Sequence, residues 1–121
     1  MDMMIYHNPA CSKSRETLAL LRERGFEPTV IEYLKTPPSY EELDELLRKL
    51  GKEPRDVIRK GEDEYKALGL SDPGLTREEL IRAMVESPRL IERPIVVRGE
   101  RAALGRPPEN VLTLLGEEKQ C

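Results

Sequence analysis

The stretch Met3-Met4-Ile5-Tyr6-His7-Asn8-Pro9-Ala10-Cys11-Ser12-Lys13-Ser14-Arg15 decides how this chain folds and where its chemistry sits. Met3 to His7 is a short apolar run of the kind that forms a buried strand, and Asn8-Pro9 ends it. Beyond Cys11 the period changes. Thr17, Leu18 and Leu21 fall on one helical face, predicting a helix from Ser12 to about Arg24 with Gly25 as its stop. Thr29-Val30-Ile31-Glu32-Tyr33 reads as a second strand. Strand, helix and strand in quick succession make a βαβ unit, whose strands run parallel with a right-handed crossover.

Cys11 stands where the first strand hands over to the helix. A thiol there meets first-turn backbone N–H groups and the positive helix end, which favour thiolate over thiol. Thiolates in such places titrate at roughly 3.5–7.5, against about 8.5 for a free cysteine. The same N–H groups can cradle an oxyanion. His7 ends the strand aimed at the cysteine, four residues upstream, and as a cation it would push the thiol the same way. The plainer reading of a single histidine is a packed, hydrogen-bonded residue. A buried lone cysteine is ordinarily inert core, but Asn8-Pro9-Ala10 is a polar turn and poor core context.

Downstream, Thr36-Pro37-Pro38 breaks the pattern and a helical middle begins, expected over residues 39 to 88. Ser39 with Glu42 is a capping box, and Leu43, Leu46, Leu47 and Leu50 form an apolar stripe before Gly51. Pro54 suits the first position of a short helix covering Arg55 to Lys60, and a further helical turn is expected around Glu64 to Leu68. Ser71-Asp72-Pro73-Gly74 is a turn. Thr76 with Glu79 caps a helix through Met84, with Leu80, Ile81 and Met84 facing inward, and Ser87-Pro88 ends it. Ile95-Val96-Val97 and Arg101-Ala102-Ala103-Leu104 read as a hairpin around Arg98-Gly99-Glu100, and Pro107-Pro108-Glu109 opens a last helix to about Leu115.

Composition narrows the field. The 121 residues suit a single domain, with 36% charged and 4% aromatic residues and no Trp, so the core rests on Leu, Ile and Val. A net charge of −3 argues against nucleic-acid binding. No apolar stretch nears the ~20 residues of a membrane span, and no signal-peptide region opens the chain, so a cytoplasmic protein is expected. Cys121 ends a polar tail, 116–121, expected to be flexible, so no disulfide framework and no metal site are anticipated. No exposed apolar stripe calls for a partner, which makes a monomer the expectation.

Three arginines lie at element edges: Arg59 in Val57-Ile58-Arg59-Lys60-Gly61, Arg93 before Pro94, and Arg106 after the hairpin. Guanidinium groups bind tetrahedral oxyanions through paired N–H donors and keep their charge at any physiological pH. Converging on a thiolate, they would let a negative nucleophile approach an anion. With 20 Lys and Arg in the chain, the plain alternative for each is a solvated surface charge.

In order, the elements are βαβ, a helical block, then ββα, which resembles the thioredoxin-like fold with its mixed sheet and a helical insertion. That resemblance implies a cis-proline beside the cysteine, in the slot that Pro94 occupies. More closely, His7-Asn8-Pro9-Ala10-Cys11 with Ser14-Arg15, Tyr33-Leu34-Lys35-Thr36-Pro37-Pro38, Ile58-Arg59-Lys60, Glu92-Arg93-Pro94-Ile95-Val96-Val97 and Leu104-Gly105-Arg106-Pro107 resemble the bacterial glutaredoxin-coupled arsenate reductases, in their compact branch. The resemblance runs from about Met4 to Leu115. It implies that Cys11 attacks arsenate and that Arg59, Arg93 and Arg106 hold the oxygens. His7 would favour the thiolate, and Asn8, Ser12, Ser14 and Arg15 would shape the anion loop. No bound cofactor is implied; glutathione would be the co-substrate and glutaredoxin the partner that resolves the mixed disulfide. Two other readings stand beside it: a glutathione-dependent thiol reductase of another substrate, and a regulator of the Spx type that binds RNA polymerase. Spx-type regulators sense oxidation through Cys-x-x-Cys, and here Ser14 takes the second position.

Overall fold

The computed structural model describes residues 2–115, so Cys121 and the tail expected at 116–121 lie outside the described residues. These form two compact units: one from the stretches up to Thr36 and from Arg93 onward, the other from Pro37–Glu92. The chain leaves the first unit once and returns to it once.

The first unit is built on a four-stranded sheet. Strands β1 (Met3–His7), β2 (Thr29–Glu32), β3 (Ile95–Arg98) and β4 (Arg101–Leu104) lie in the order β2-β1-β3-β4. β1 and β2 are parallel, with Ile5 opposite Val30, as a βαβ unit requires. β1–β3 and β3–β4 are antiparallel, so the sheet is mixed and the fold thioredoxin-like. The pairing of Arg98 with Arg101 leaves Gly99-Glu100 as a two-residue turn, and Gly99 takes the φ of +62° such a turn needs.

Helix α1 (Ser12–Glu23) buries Ser14, Thr17, Leu18 and Leu21, which includes the stripe its sequence predicts, and Gly25 follows with φ +88°. Leu18 and Leu21 join Met3 and Ile5 of β1, Val96 of β3, and Val111 and Leu114 in one cluster. Ile5 pairs directly with Val96, so the period-two alternation puts both on the α1 side of the sheet. Tyr6, Ile95 and Val97, which point the other way, are buried as well. The last segment, Pro108–Leu114, is a 3-10 helix and not the α-helix its apolar spacing suggests. Pro107 and Pro108 supply no N–H, and the turns close three residues apart: Asn110 N–H to the Pro107 carbonyl and Leu115 N–H to that of Leu112.

The second unit is helical: α2 (Tyr40–Leu50), α3 (Pro54–Val57), α4 (Asp63–Ala67) and α5 (Arg77–Glu86), followed by a 3-10 turn at Pro88–Leu90. Both expected capping boxes form, Ser39 with Glu42 and Thr76 with Glu79. α2 and α5 pack through Leu43, Leu46 and Leu47 and through Leu80, Ile81 and Met84, and Arg77 pairs with Asp44 at 2.8 Å. The helix expected to Lys60 stops at Val57. Ile58 is extended (φ −92°, ψ 137°) and bridges Ile91, while Arg59 N–H reaches the Leu90 carbonyl at 2.7 Å and Glu92 N–H that of Val57 at 2.8 Å. The apolar Ile58 and Ile91 gain burial in that short ladder, which one more helical turn would forfeit. No helix among the described residues is long and apolar enough to cross a membrane.

Candidate active site

Cys11 is the N-cap of α1, half-buried with extended backbone (φ −98°, ψ 124°). The turn before it is braced from several sides. Asn8 Oδ1 accepts from Ala10 N–H at 3.0 Å, and the Asn8 carbonyl accepts from Cys11 N–H at 2.9 Å. Arg15 Nη1 donates to the Pro9 carbonyl at 2.9 Å. Ser14, fully buried, accepts from Asn8 N–H at 3.0 Å and lies 2.7 Å from His7 Nδ1. Ser12 is exposed on the first turn of α1.

Burial is the largest single effect and pushes the Cys11 thiol up, but the backbone N–H group of Ser14, the hydrogen bond of Arg93, the N–H of Lys13 and the Arg93 charge together hold it below its ordinary value. Cys11 makes no side-chain cap hydrogen bond, so these N–H groups bear on the sulfur without capping it. Arg106 Nη1 lies 3.8 Å from the Cys11 sulfur and donates to the Arg93 carbonyl at 3.1 Å. Two permanent cations therefore flank one sulfur. Both Arg93–Pro94 and Arg106–Pro107 peptide bonds are cis; the resemblance anticipates the first, and the sequence reading did not single out the second.

His7 contributes differently from a cation beside the thiol. Burial lowers its pKa, outweighing the carboxylate of Glu32, with Arg22 and Arg15 adding to the effect, so it is mainly neutral at pH 7. The Ser14 hydroxyl has one hydrogen, and it already accepts from Asn8 N–H. Paired with His7 Nδ1 as well, it ties the imidazole to the loop. His7 thus acts on the loop through Ser14. It also lines a groove of about 540 Å³ along α1 with Arg15, Leu18 and Arg22; Cys11 is not among that groove's lining residues.

Arg59 belongs to the second unit. Burial opposes its charge, but Glu62 and Glu92 more than offset this and raise its pKa: Nε donates to Glu62 at 3.1 Å and Nη1 to Glu92. The sequence places Arg59 near the end of a short helix; its backbone instead sits in the short ladder, because that helix stops at Val57.

Three residues that the sequence reading did not assign to the site hold its parts. Gly105 packs so closely that a Cβ there would lie 2.6 Å from Thr17 Oγ1 and 2.8 Å from Pro94 Cγ, and its N–H donates to the Pro94 carbonyl at 2.9 Å. Thr17 is fully buried. Asn110 donates from its side-chain amide to the Arg106 carbonyl at 3.0 Å. Thr17 was legible only as a residue on the inward stripe of α1, and nothing local in the sequence points to the other two.

A thioredoxin-like domain with one cysteine at the start of its first helix and two arginines beside the sulfur is the class that fold and site define. Within it the chain belongs to the ArsC family, whose profile matches residues 6–114. It is 55% identical over 116 residues to a protein of Escherichia coli (strain K12) named "Uncharacterized protein YfgD", covering 95% of this chain and 98% of that one. It is 47% identical over 115 residues to an arsenate reductase of Neisseria meningitidis serogroup A, covering 94% and 98%. Among solved structures, the arsenate reductase from Vibrio cholerae superposes with a TM-score of 0.91 at 55% identity, covering 93% of this chain and 97% of that one.

Proposed function

We propose that this protein is an arsenate reductase that uses glutathione and glutaredoxin as its thiol donors. The observation that carries the reading is the pair of guanidinium groups on the Cys11 sulfur, Arg106 at 3.8 Å and Arg93 by a hydrogen bond that lowers the thiol pKa. Arsenate is an anion at neutral pH, so a thiolate approaching it meets like-charge repulsion. Fixed cations offset that repulsion and stabilise charge building on the oxygens; removing one such donor typically costs ~2.7–4 kcal/mol in the barrier. The name shared by relatives near half identity over nearly the whole chain supports the same substrate.

In the proposed reaction the Cys11 thiolate attacks arsenic, an S–As bond forms, and an arsenate oxygen leaves as water after taking up protons. Glutathione thiolate then attacks the Cys11 sulfur. The S–As bond breaks with its electron pair going to arsenic, which falls from As(V) to As(III) and leaves as arsenite. The two sulfurs are left as a mixed disulfide, and glutaredoxin reduces it. Cys11 has no second cysteine near it in Asn8-Pro9-Ala10-Cys11-Ser12-Lys13-Ser14, which supports an outside thiol as resolver. The buried, hydrogen-bonded Ser14 likewise leaves no Cys-x-x-Cys switch of the regulator type. Asn8, Ser14 and Arg15 hold the loop, His7 acts through Ser14, and Ser12 lies on its rim. Arg59 is carried as a further substrate arginine on the sequence resemblance alone. The reading places the protein in the cytoplasm as a monomer, where thiol donors are kept reduced.

Anion protection tests the site. Arsenate or sulfate should slow alkylation of Cys11 in the wild type, and Arg93→Leu and Arg106→Leu should each lose most of that protection while remaining folded by circular dichroism. Protection undiminished in both variants would remove these arginines from the anion site.

A further inference from the structure

We infer that Thr17 is a positioning residue: its hydroxyl sets the distance between the helix that carries Cys11 and the segment that carries Arg106 and Arg93. The inference rests on the proposed thiolate–arginine site and adds a residue to it. Thr17 lies six residues beyond the N-cap, fully buried on α1. Its Oγ1 donates to the Lys13 carbonyl at 2.8 Å and makes a longer, second contact to the Gly105 carbonyl at 3.4 Å. Gly105 is the residue next to Arg106, and its N–H holds the Pro94 carbonyl at 2.9 Å, next to Arg93. Arg106 then returns to the Cys11 sulfur and the Arg93 carbonyl.

Two rings of contacts result. One runs Cys11, α1, Thr17, Gly105, Arg106 and back to the sulfur. The other runs Gly105, Pro94, Arg93, Arg106. Thr17 touches the point common to both, where the packing has no slack: a Cβ on Gly105 would lie 2.6 Å from Oγ1 and 3.1 Å from Cγ2 of Thr17. Thr17 stands outside the apolar cluster that Leu18 and Leu21 join. The hydroxyl gives its one hydrogen mainly to the Lys13 carbonyl and only weakly to that of Gly105, so what faces Gly105 is an oxygen smaller than a methyl, seated where the packing is tightest. Thr17→Val puts a methyl where the hydroxyl was and pushes the Gly105-Arg106 segment outward. Thr17→Ala removes the contact and lets the segment move. Thr17→Ser keeps the hydroxyl.

The test is the pH dependence of Cys11 alkylation by iodoacetamide in the full-length protein, with folding followed by circular dichroism and urea denaturation. Thr17→Val and Thr17→Ala are expected to raise the thiol midpoint by about 0.5–1 pH unit as the arginines withdraw. Thr17→Ser should titrate with the wild type. If Thr17→Val does not fold, Thr17→Ala, which adds no bulk, decides the outcome. Midpoints unchanged in the folded variants, or a Thr17→Ser midpoint that moves as far as that of Thr17→Ala, overturn the positioning role. Sulfate protection of wild-type Cys11 is measured alongside. Its absence would count against the oxyanion site and not against the Thr17 contact, which the midpoints judge on their own.

Discussion

Among single residues, the groups around one sulfur decide the chemistry. Because the folded Cys11 pKa is depressed, the unfolded chain binds more protons than the folded one between the folded value and the free-thiol value near 8.5. Stability from this group is therefore fully present above the free-thiol value and is lost as pH falls through the folded value. Urea denaturation of wild type and Cys11→Ser across pH 5 to 9.5 should show the wild type gaining on the variant as pH rises; a constant difference would contradict a shifted thiol. Ser14→Ala leaves the buried Asn8 N–H and His7 Nδ1 without their shared partner, a loss of about 1–3 kcal/mol, measurable by the same denaturation. The reactive position of Cys11 was legible because a strand end, a Pro and a helix start are all local signals. The neutral state of His7 was not, because it depends on burial strong enough to outweigh Glu32 of a neighbouring strand.

At the scale of elements, local grammar carried most of the architecture. β1 runs over the residues its apolar pattern marks, both capping boxes form where Ser/Thr-x-x-Glu predicts, and Gly25 and Gly51 stop their helices with positive φ. Thr76→Ala should cost about 1 kcal/mol through loss of the α5 cap, read from the urea midpoint. The departures have a common cause. The helix after Pro54 ends early because Ile58 pairs with Ile91, thirty-three positions on, and the last helix tightens to 3-10 behind two prolines. Gly105 shows the same dependence on distant chain, since its constraint comes from Thr17 and Pro94 and not from a turn. Gly105→Ala is expected to destabilise the fold by roughly 1–3 kcal/mol, because the new methyl must displace packed neighbours. A variant as stable as the wild type would mean that this contact yields freely.

At the scale of the whole molecule, the chain order was readable and the meeting of distant residues was not. The excursion from Pro37 to Glu92 begins at a Thr-Pro-Pro break and ends just before Arg93-Pro94, so its edges are marked by proline. That Arg93 and Arg106 reach one sulfur depends on a mixed sheet pairing β1 with β3 and β3 with β4, which a single sequence suggests only through resemblance to a known order of elements. A net charge of −3 conceals this local concentration of positive charge. In the proposed reaction the Cys11 thiolate attacks arsenate and is regenerated by outside thiols. The direct measurement is NADPH oxidation by the full-length protein with arsenate, glutathione, glutaredoxin and glutathione reductase. Arsenate-dependent oxidation that disappears in Cys11→Ser is the predicted result; no arsenate-dependent oxidation by the wild type, or equal rates in the two proteins, would contradict it.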